Sequence, residues 1–550
     1  MKRIIFPAAV AAALGSFSPP AAHGQEATVR THAPRPTTAA ITEEDLRTRL
    51  FIFADDSMQG REAGTEGHLR STVWLAAELQ TLGLQPAGDD GTFFQAVPLA
   101  SRALDEASMV SAGGTTFAMW NDVVPVRGGN VGDATSVFAG SLHDSSTWLA
   151  PDATRGRMLI FHAERGPLAL PPMNEGSRFE HAAGVGIVVP APMLQAYTNF
   201  LRPPRMALRQ ERAGATVPLL LLSAAAAEAM LAAPVNAAQP GRTGAPVRAH
   251  IAYAESIVPA RNVIAILPGS DPLLRGQYVA IGSHTDHDGI ASQPVDHDSL
   301  RAFNAEVERR QQAKGGSLTA AERREIRVNV DSLRMLRPAR LDSIYNGADD
   351  DGSGSVAMLE IAEAMVHATR KPRRSMLFVW HTAEEKGLIG ADWYTAHPTV
   401  PRDSIVAQLN IDMIGRGGAD DIPGGGPAYL QLIGSRRLST ELGDLVERVN
   451  KQRATPFTFD YQFDATGHPE QYYCRSDHYM YARYGIPVVF FSTGDHRDYH
   501  QLTDEPQYIN YGNLTRVSQL IHDVGLRLAN QAARVRVDQP SPPLGAPCRQ

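Results

Sequence analysis

Short, wholly apolar runs alternate with longer helical patterns after residue 261. Five of these runs are rich in Val, Ile, Leu and Phe and lack polar alternation, which is typical of strands buried on both faces. We predict these strands over residues 262–267, 278–283, 375–381, 405–412 and 486–492. Helices are predicted between them, notably over 355–367 and 440–451. The order predicts an α/β fold with a mixed, largely parallel sheet covered by helices on both sides.

The first half of the chain has a different pattern. One helix is predicted to begin at Thr42, whose hydroxyl can cap it, and a second is predicted over residues 67–82 and ends at Gly83. From 118 to 250, short apolar runs alternate with turns rich in Pro and Gly. This texture predicts a small strand-rich insert, to which we assign no chemistry.

A highly charged block, residues 291–345, interrupts the α/β pattern. Gly315 and Gly316 break the block, and Thr319 with Glu322 can form a capping box that begins a second helix. We therefore predict a helical hairpin inserted into a loop. Charge runs usually lie in water, so a solvated face is the first interpretation of this hairpin, and a lid over a site is the second.

The sequence near the two ends of the chain predicts an export signal and two flexible segments. Lys2 and Arg3 precede an apolar stretch that is too short to span a membrane, so residues 1–24 are predicted to be an export signal, with an uncleaved anchor as the alternative. We expect an exported protein, periplasmic or secreted, without a stable membrane anchor. Residues 25–40 are predicted to be a flexible leader, and 536–550 a loose, Pro-rich tail.

Composition narrows the possible functions. The chain has 550 residues and a net charge of −7, so no basic excess exists to bind nucleic acid. Its only cysteines, Cys474 and Cys548, exclude a Cys-rich zinc module, and any metal must be held by His, Asp and Glu. The two cysteines could pair in an oxidising compartment, or Cys474 could remain a buried thiol.

Acidic and histidine residues follow the predicted strands at the ends where α/β sheets place their ligands. His284 and Asp286 would share one face of an extended strand, and a carboxylate there can orient a metal-binding imidazole. Three adjacent aspartates, 349–351, precede a predicted helix. Their mutual repulsion is costly unless cations compensate it, and Asp350 at the centre is the best candidate for a bridging ligand.

Three further strands end in similar residues. Glu384 and Glu385 follow a very apolar strand, where one glutamate can bind a metal while the other moves a proton. Asp412 closes the next strand, and His500 follows the last one. Two histidines and three carboxylates form a set without sulfur, which suits two divalent cations, zinc in particular, with a carboxylate between them.

This ordered set resembles the dinuclear-zinc exopeptidase family, which includes bacterial leucine aminopeptidases, glutamate carboxypeptidase and the non-catalytic transferrin receptor. The similarity lies in the patterns HxD, GADDDGSG, AEEKG, NIDM and YHxxxD, in GREAG near the start of the chain, and in SDH after residue 475. It implies a three-layer αβα fold, formed here by residues 41–117, 251–290 and 346–535. It also implies that 118–250 is a protease-associated domain. Family members usually join the HxD and GADDDGSG patterns by a short loop. In this chain the loop is longer, because it contains residues 291–345.

The resemblance also implies a role for each residue. His284 and Asp412 would bind one zinc, Glu385 and His500 the second, and Asp350 both. Glu384 would be the general base, Asp286 would orient His284, and Tyr499 would steady the tetrahedral intermediate. The implied function is a zinc exopeptidase acting on peptides, with an aminopeptidase as the first interpretation. A carboxypeptidase or dipeptidase, a glutaminyl cyclase and a receptor-like binding protein are the alternatives.

Overall fold

The structure, a computed structural model, describes residues 32–165, 177–209, 217–422, 424–545 and 548–550, so the predicted signal at 1–24 lies outside it. In chain order the strands are β1 (Gln85–Pro86), β2 (Phe94–Ala96), β3 (Leu99–Leu104), β4 (Met109–Ala112), β5 (Thr115–Thr116), β6 (Val123–Arg127), β7 (Gly129–Ser141), β8 (Met158–His162), β9 (Gly184–Val188), β10 (Arg205–Leu208), β11 (Leu219–Leu222), β12 (Thr243–Ile251), β13 (Tyr253–Val258), β14 (Arg261–Leu267), β15 (Tyr278–His284), β16 (Ile290–Asp296), β17 (Leu341–Ile344), β18 (Ser375–His381), β19 (Ile405–Ile411), β20 (Tyr429–Ile433), β21 (Thr458–Asp460) and β22 (Val488–Ser492). The α-helices are α1 (Glu43–Phe53), α2 (Glu66–Thr81), α3 (Pro151–Thr154), α4 (Ala191–Leu201), α5 (Ala224–Leu231), α6 (His297–Lys314), α7 (Ala320–Arg324), α8 (Asp331–Leu336), α9 (Gly354–His367), α10 (Ile389–Ala396), α11 (Thr440–Lys451), α12 (His478–Ala482) and α13 (Tyr511–Asn530).

A central sheet in the order β1-β14-β18-β15-β19-β22-β20-β21, with β2 also paired to β14, contains all five predicted strands. Its middle strands β18, β15, β19 and β22 are parallel, and antiparallel neighbours join them on both sides. The apolar runs are buried throughout because helices cover both faces of these strands. The carboxyl ends of the four parallel strands therefore meet at one edge of the sheet.

Helices pack on both faces of this sheet. Apolar side chains of α1, α9, α11 and α13 bury one face, and those of α10 and α12 bury the other. Thr42 caps α1 as predicted, because its hydroxyl accepts the N–H of Asp45 at 3.1 Å. This three-layer αβα arrangement confirms the predicted fold class. Within the described ranges, no helix combines the length and the apolar content that a membrane span requires.

A second sheet, in the order β5-β4-β12-β7-β8-β9-β11-β6, forms a strand-rich body with its own apolar core. The predicted insert boundary of 118 is wrong at the start, because β4 already pairs with β12, with Val110 opposite Ala249. A three-stranded sheet, β10-β3-β13, carries the chain into and out of this body. A local change in the sequence pattern locates the turn-rich centre of such an insert. It does not locate the outer strands, which pair with residues far away in the sequence.

The charged block is not the predicted helical hairpin. The antiparallel strands β16 and β17 pair at its base, and between them the chain forms one long helix, α6, and two short helices, α7 and α8. The capping box of α7 is present: Thr319 Oγ1 accepts the N–H of Glu322, and the Glu322 carboxylate accepts the N–H of Thr319 at 2.6 Å. The local capping signal is therefore right, whereas the pairing of distant strands left no periodic signal in the sequence.

Described residues of the predicted leader and of the predicted tail make tertiary contacts that were not predicted. Within the predicted leader, the buried His32 lies 2.7 Å from Thr48 Oγ1, and Thr37 donates to Glu363 at 2.9 Å. At the other end Cys474 and Cys548 form a disulfide with a Cα–Cα distance of 5.8 Å. These contacts join segments far apart in sequence, which local composition does not report.

The disulfide offers a test of how the tail is held. Replacing Cys474 and Cys548 together by Ser is expected to lower the free energy of unfolding by about 2–4 kcal/mol, because the bond closes a long loop in the unfolded chain. Denaturant titrations with and without reductant check this. Reduced wild-type protein should match the double variant, and the variant itself should not respond to reductant. Equal stability of the oxidised and reduced wild type would contradict the expectation.

Candidate metal centre

Four parallel strands deliver the candidate residues to one edge of the central sheet. His284 is the last residue of β15, Glu384 and Glu385 follow β18, and Asp412 follows β19 directly. His500 lies in the loop after β22. Since neighbouring parallel strands end side by side, these side chains meet although long stretches of sequence separate them.

Asp350, from the segment that precedes α9, lies between the two histidines. Its Oδ1 is 3.2 Å from His284 Nε2, and its Oδ2 is 3.2 Å from His500 Nε2. A second carboxylate faces each imidazole, with Asp412 Oδ1 at 3.6 Å from His284 Nε2 and Glu385 Oε2 at 3.3 Å from His500 Nε2. The five predicted ligands thus form two adjacent groups of donors that share Asp350.

The three adjacent aspartates have different partners. Asp349 contacts the N–H of Gly415 at 2.6 Å and His496 Nε2 at 3.1 Å. The carboxylate of Asp351 accepts hydrogen bonds from three backbone amides, those of His284, Gly354 and Met413. The side chain of Asp350 contacts only imidazoles among the partners found in the described part of the chain. Of these three aspartates, Asp350 is therefore the one whose carboxylate lies between the two predicted zinc-binding imidazoles.

Asp286 has a different position from the one predicted. His284 Nδ1 lies 3.1 Å from the main-chain oxygen of Asp286, not from its carboxylate. The carboxylate instead accepts the N–H groups of Glu384 at 3.0 Å and Glu385 at 3.4 Å. The alternation of side chains does not extend to Asp286 because β15 ends at His284. Asp286 thus holds the loop of the two glutamates, and burial raises its pKa to about 7.

Two residues of the same loop were not predicted. Asp288 Oδ2 lies 2.8 Å from His500 Nδ1, so Asp288 orients this imidazole as a carboxylate often orients a metal-binding histidine. His287 Nδ1 lies 2.8 Å from Glu385 Oε1, and its Nε2 is buried without a hydrogen-bond partner. The signal for both was the density of titratable groups from His284 to Asp288, four in five positions.

Other buried contacts fix the backbone around these residues. The Arg61 guanidinium, in the GREAG pattern, donates to the main-chain oxygens of Thr285 and Gly347 at 3.0 and 2.8 Å. It thereby joins the loop after β15 to the segment that carries Asp350. The Asp504 carboxylate accepts the N–H of Asp350 at 3.1 Å. In the SDH pattern, Ser476 Oγ donates to Asp412 Oδ2 at 2.7 Å.

The electrostatics of the site favour bound cations. Burial disfavours charge on His284, yet Glu384 and the neighbouring aspartates raise its pKa well above the ordinary value. Burial also opposes charge on His500, but Asp288, Asp350 and Glu385 raise its pKa to about 11. Burial raises the pKa of Glu384 as well. Among the described residues no lysine or arginine pairs with the five predicted ligands, and this set of oxygen and nitrogen donors fits two zinc ions.

A cavity of about 290 Å³ opens beside these groups. Its lining includes Leu388, Met413, Cys474, Arg475, Phe490 and Tyr499. Tyr499 lies against His500, with ring centroids 4.2 Å apart, and its hydroxyl oxygen accepts a hydrogen bond from Arg475 at 3.1 Å. No hydrogen bond among the described residues uses the hydroxyl hydrogen of Tyr499, which can therefore be donated to a bound molecule.

Part of the chain is similar to a known protein family. Residues 262–525 match the family model described as peptidase family M28. This region belongs to peptidase family M28. The matched M28 region spans β14 to α13, and it carries all five predicted ligands together with Glu384.

Individual relatives are similar over parts of the chain. Leupeptin-inactivating enzyme 1 of Streptomyces exfoliatus is 42% identical over 84 residues, 15% of this chain and 19% of that protein. Leucine aminopeptidase 1 of Penicillium rubens is 27% identical over 203 residues, 34% of this chain and 48% of that protein. The chain thus spans less than half of either relative. A solved aminopeptidase from Aneurinibacillus sp. strain AM-1 has a TM-score of 0.47 at 16% identity and covers 92% of this chain and 97% of its own.

The position of Asp286 generates a prediction for the M28 region. Asp286→Asn is expected to weaken metal binding by about 10–100-fold, because an amide cannot accept both N–H groups that the carboxylate accepts. Competition with a chromophoric chelator measures the affinity. Asp105→Asn is the matched control, since Asp105 also accepts a backbone N–H, at 2.8 Å from Ala107, outside the M28 region. Unchanged metal affinity in Asp286→Asn would show that the carboxylate has no such role.

Proposed function

We propose that this protein is a zinc-dependent exopeptidase of the aminopeptidase type, which removes N-terminal residues from peptides. The observation that carries the proposal is the Asp350 carboxylate, whose two oxygens face two different imidazoles at 3.2 Å each. His284 and Asp412 would hold one zinc, Glu385 and His500 the second, and Asp350 both. The family of the M28 region and the names of its relatives support the same reaction.

The chemistry divides between metal and protein. Bound zinc would supply Lewis-acid polarisation of the scissile carbonyl and would lower the pKa of water. Glu384 lines the cavity, and its backbone is held by Asp286 at 3.0 Å. Its carboxylate would accept a proton from the attacking water and deliver it to the leaving amine. Tyr499 would donate its hydroxyl hydrogen to the oxyanion of the tetrahedral intermediate.

The cavity supports an enzyme that acts at a chain end. At about 290 Å³ it is at the small end of the usual range for ligand pockets, which suits one residue rather than a long peptide. Apolar side chains such as Met413 and Phe490 line it, and they favour an apolar terminal residue. The aminopeptidase names of the relatives favour the amino end over the carboxyl end.

We also propose that the protein is exported and acts without a stable membrane anchor. The disulfide between Cys474 and Cys548 supports this, because such bonds persist in oxidising compartments. The strand-rich body between β4 and β12 is proposed to be a protease-associated domain.

Peptides with free and blocked amino termini test the reaction and its direction together. We expect cleavage of a leucine-terminated peptide, no cleavage of its N-acetylated form, loss of activity with a chelator and recovery with zinc. Mass spectrometry of the products identifies the end that is cut. Release of the C-terminal residue would indicate a carboxypeptidase, and cyclisation of N-terminal glutamine a glutaminyl cyclase. No turnover and no bound zinc would favour a binding protein.

The role of Glu384 can be tested separately from metal binding. Glu384→Gln is expected to lower kcat by about 10²–10⁴-fold while both zinc ions stay bound, because the amide cannot accept the proton. Steady-state kinetics and metal analysis of the same preparation check this. Glu228→Gln is the control, since Glu228 is an exposed residue of α5 outside the M28 region. Near-normal kcat in Glu384→Gln would refute its role as the base.

A further inference from the structure

One face of α6 in the charged block contacts the loop that carries His500. The residues on this face recur at intervals of four, three and four positions, which places them on one side of a helix. They are His297, Arg301, Asn304 and Glu308. This face is polar, so the usual search for apolar periodicity does not detect it.

Each of these residues has a partner in the stretch after β22. Arg301 Nη1 lies 3.0 Å from Asp498 Oδ2. At the next positions of the face, Asn304 Nδ2 donates to Thr503 Oγ1 at 3.4 Å. In the remaining two pairs, Glu308 Oε2 lies 3.4 Å from Arg497 Nε, and His297 Nε2 lies 2.9 Å from Glu505 Oε1. The helix therefore contacts the loop on both sides of His500.

Asp342 and Glu505 lie near His297, so this end of the interface is rich in titratable side chains. Arg340 is 2.7 Å from His297 Nδ1, and since a guanidinium only donates, Nδ1 must accept. The other ring nitrogen, Nε2, faces the Glu505 carboxylate at 2.9 Å. The ring of Tyr508 stacks on the same imidazole, with the ring centroids 5.9 Å apart.

Asp498 is the central contact of this interface. It is fully buried, and its carboxylate accepts from Arg301, from the buried Arg416 at 2.5 Å and from Thr503 Oγ1 at 2.7 Å. Two positions further along, His500 has a φ of +53°, a left-handed conformation that is uncommon for a residue with a side chain. Contacts that hold this loop therefore also help to keep His500 in this conformation.

We propose that α6 positions His500, with Arg301 acting through Asp498 to keep the loop where His500 faces Asp350 and Glu385. Arg301 is thus a positioning residue for the second zinc ion, an inference that rests on the proposed function because it takes His500 as a zinc ligand. This role differs from both interpretations of the charged block, the solvated face and the lid.

The test is the stepwise affinity of the full-length protein for zinc, measured by competition with chelators of graded strength. Arg301→Met removes the donors and keeps the length of the side chain. It is expected to lower the affinity for one of the two zinc ions by about 10–100-fold and to leave the affinity for the other unchanged. Arg301→Lys should restore part of the affinity. Asn304→Ala, a milder change on the same face, should lower the affinity for the same zinc ion by a smaller factor.

Arg309→Met is the matched control. Arg309 lies on the same helix, is largely exposed and pairs with Glu306 at 2.7 Å, away from the loop. It should leave both affinities unchanged. Equal affinities in Arg301→Met and wild type would overturn the inference alone, and so would a loss of both ions together with a lower melting temperature of the zinc-free protein. Wild-type protein that binds no zinc would overturn the proposed function and this inference with it.

Discussion

Mutual repulsion among buried carboxylates is the constraint around which this structure is organised. The edge of the central sheet gathers Asp350, Glu384, Glu385 and Asp412 around one cavity, with side chains that are largely removed from water. Such a concentration of negative charge is unfavourable in a folded protein unless cations or hydrogen-bond donors oppose it. The loops, the flanking histidines and the buried Arg61 all serve to keep this arrangement in place.

The structure meets this constraint in two ways, and the difference identifies the functional groups. Asp286, Asp351 and Asp504 accept backbone N–H groups, so protein donors satisfy them. Within the described part of the chain no backbone amide donates to the carboxylate of Asp350, which faces imidazole rings instead. A buried acid that the backbone satisfies is part of the framework, whereas one that meets only metal-binding side chains is a candidate ligand. Residue type alone cannot make this distinction.

Sequence patterns predicted the parts of the molecule that depend on local order. Buried strands read directly as apolar runs, and their bounds were within two residues of those observed, as with β18 at Ser375–His381. Four of the five candidate ligands were predicted because they follow such strands, and Asp350 was predicted from the three adjacent aspartates before a helix. The partners of the Asp286 carboxylate and of Asp288 could not be predicted from the sequence. Strand β15 ends at His284, and the side chains of a loop do not alternate with a fixed period. The strands β4, β16 and β17 pair across long distances in sequence, which leaves no local signal.

The disulfide also bears on the order in which the molecule is completed. Cys474 belongs to the cavity wall, and its partner Cys548 lies 74 positions further along the chain. During synthesis this part of the wall takes its tethered form only after Cys548 has left the ribosome and an oxidant has joined the two sulfurs. The wall of the cavity therefore takes its final, cross-linked form only after both cysteines have been made and oxidised, later than the strands and loops that hold the candidate ligands.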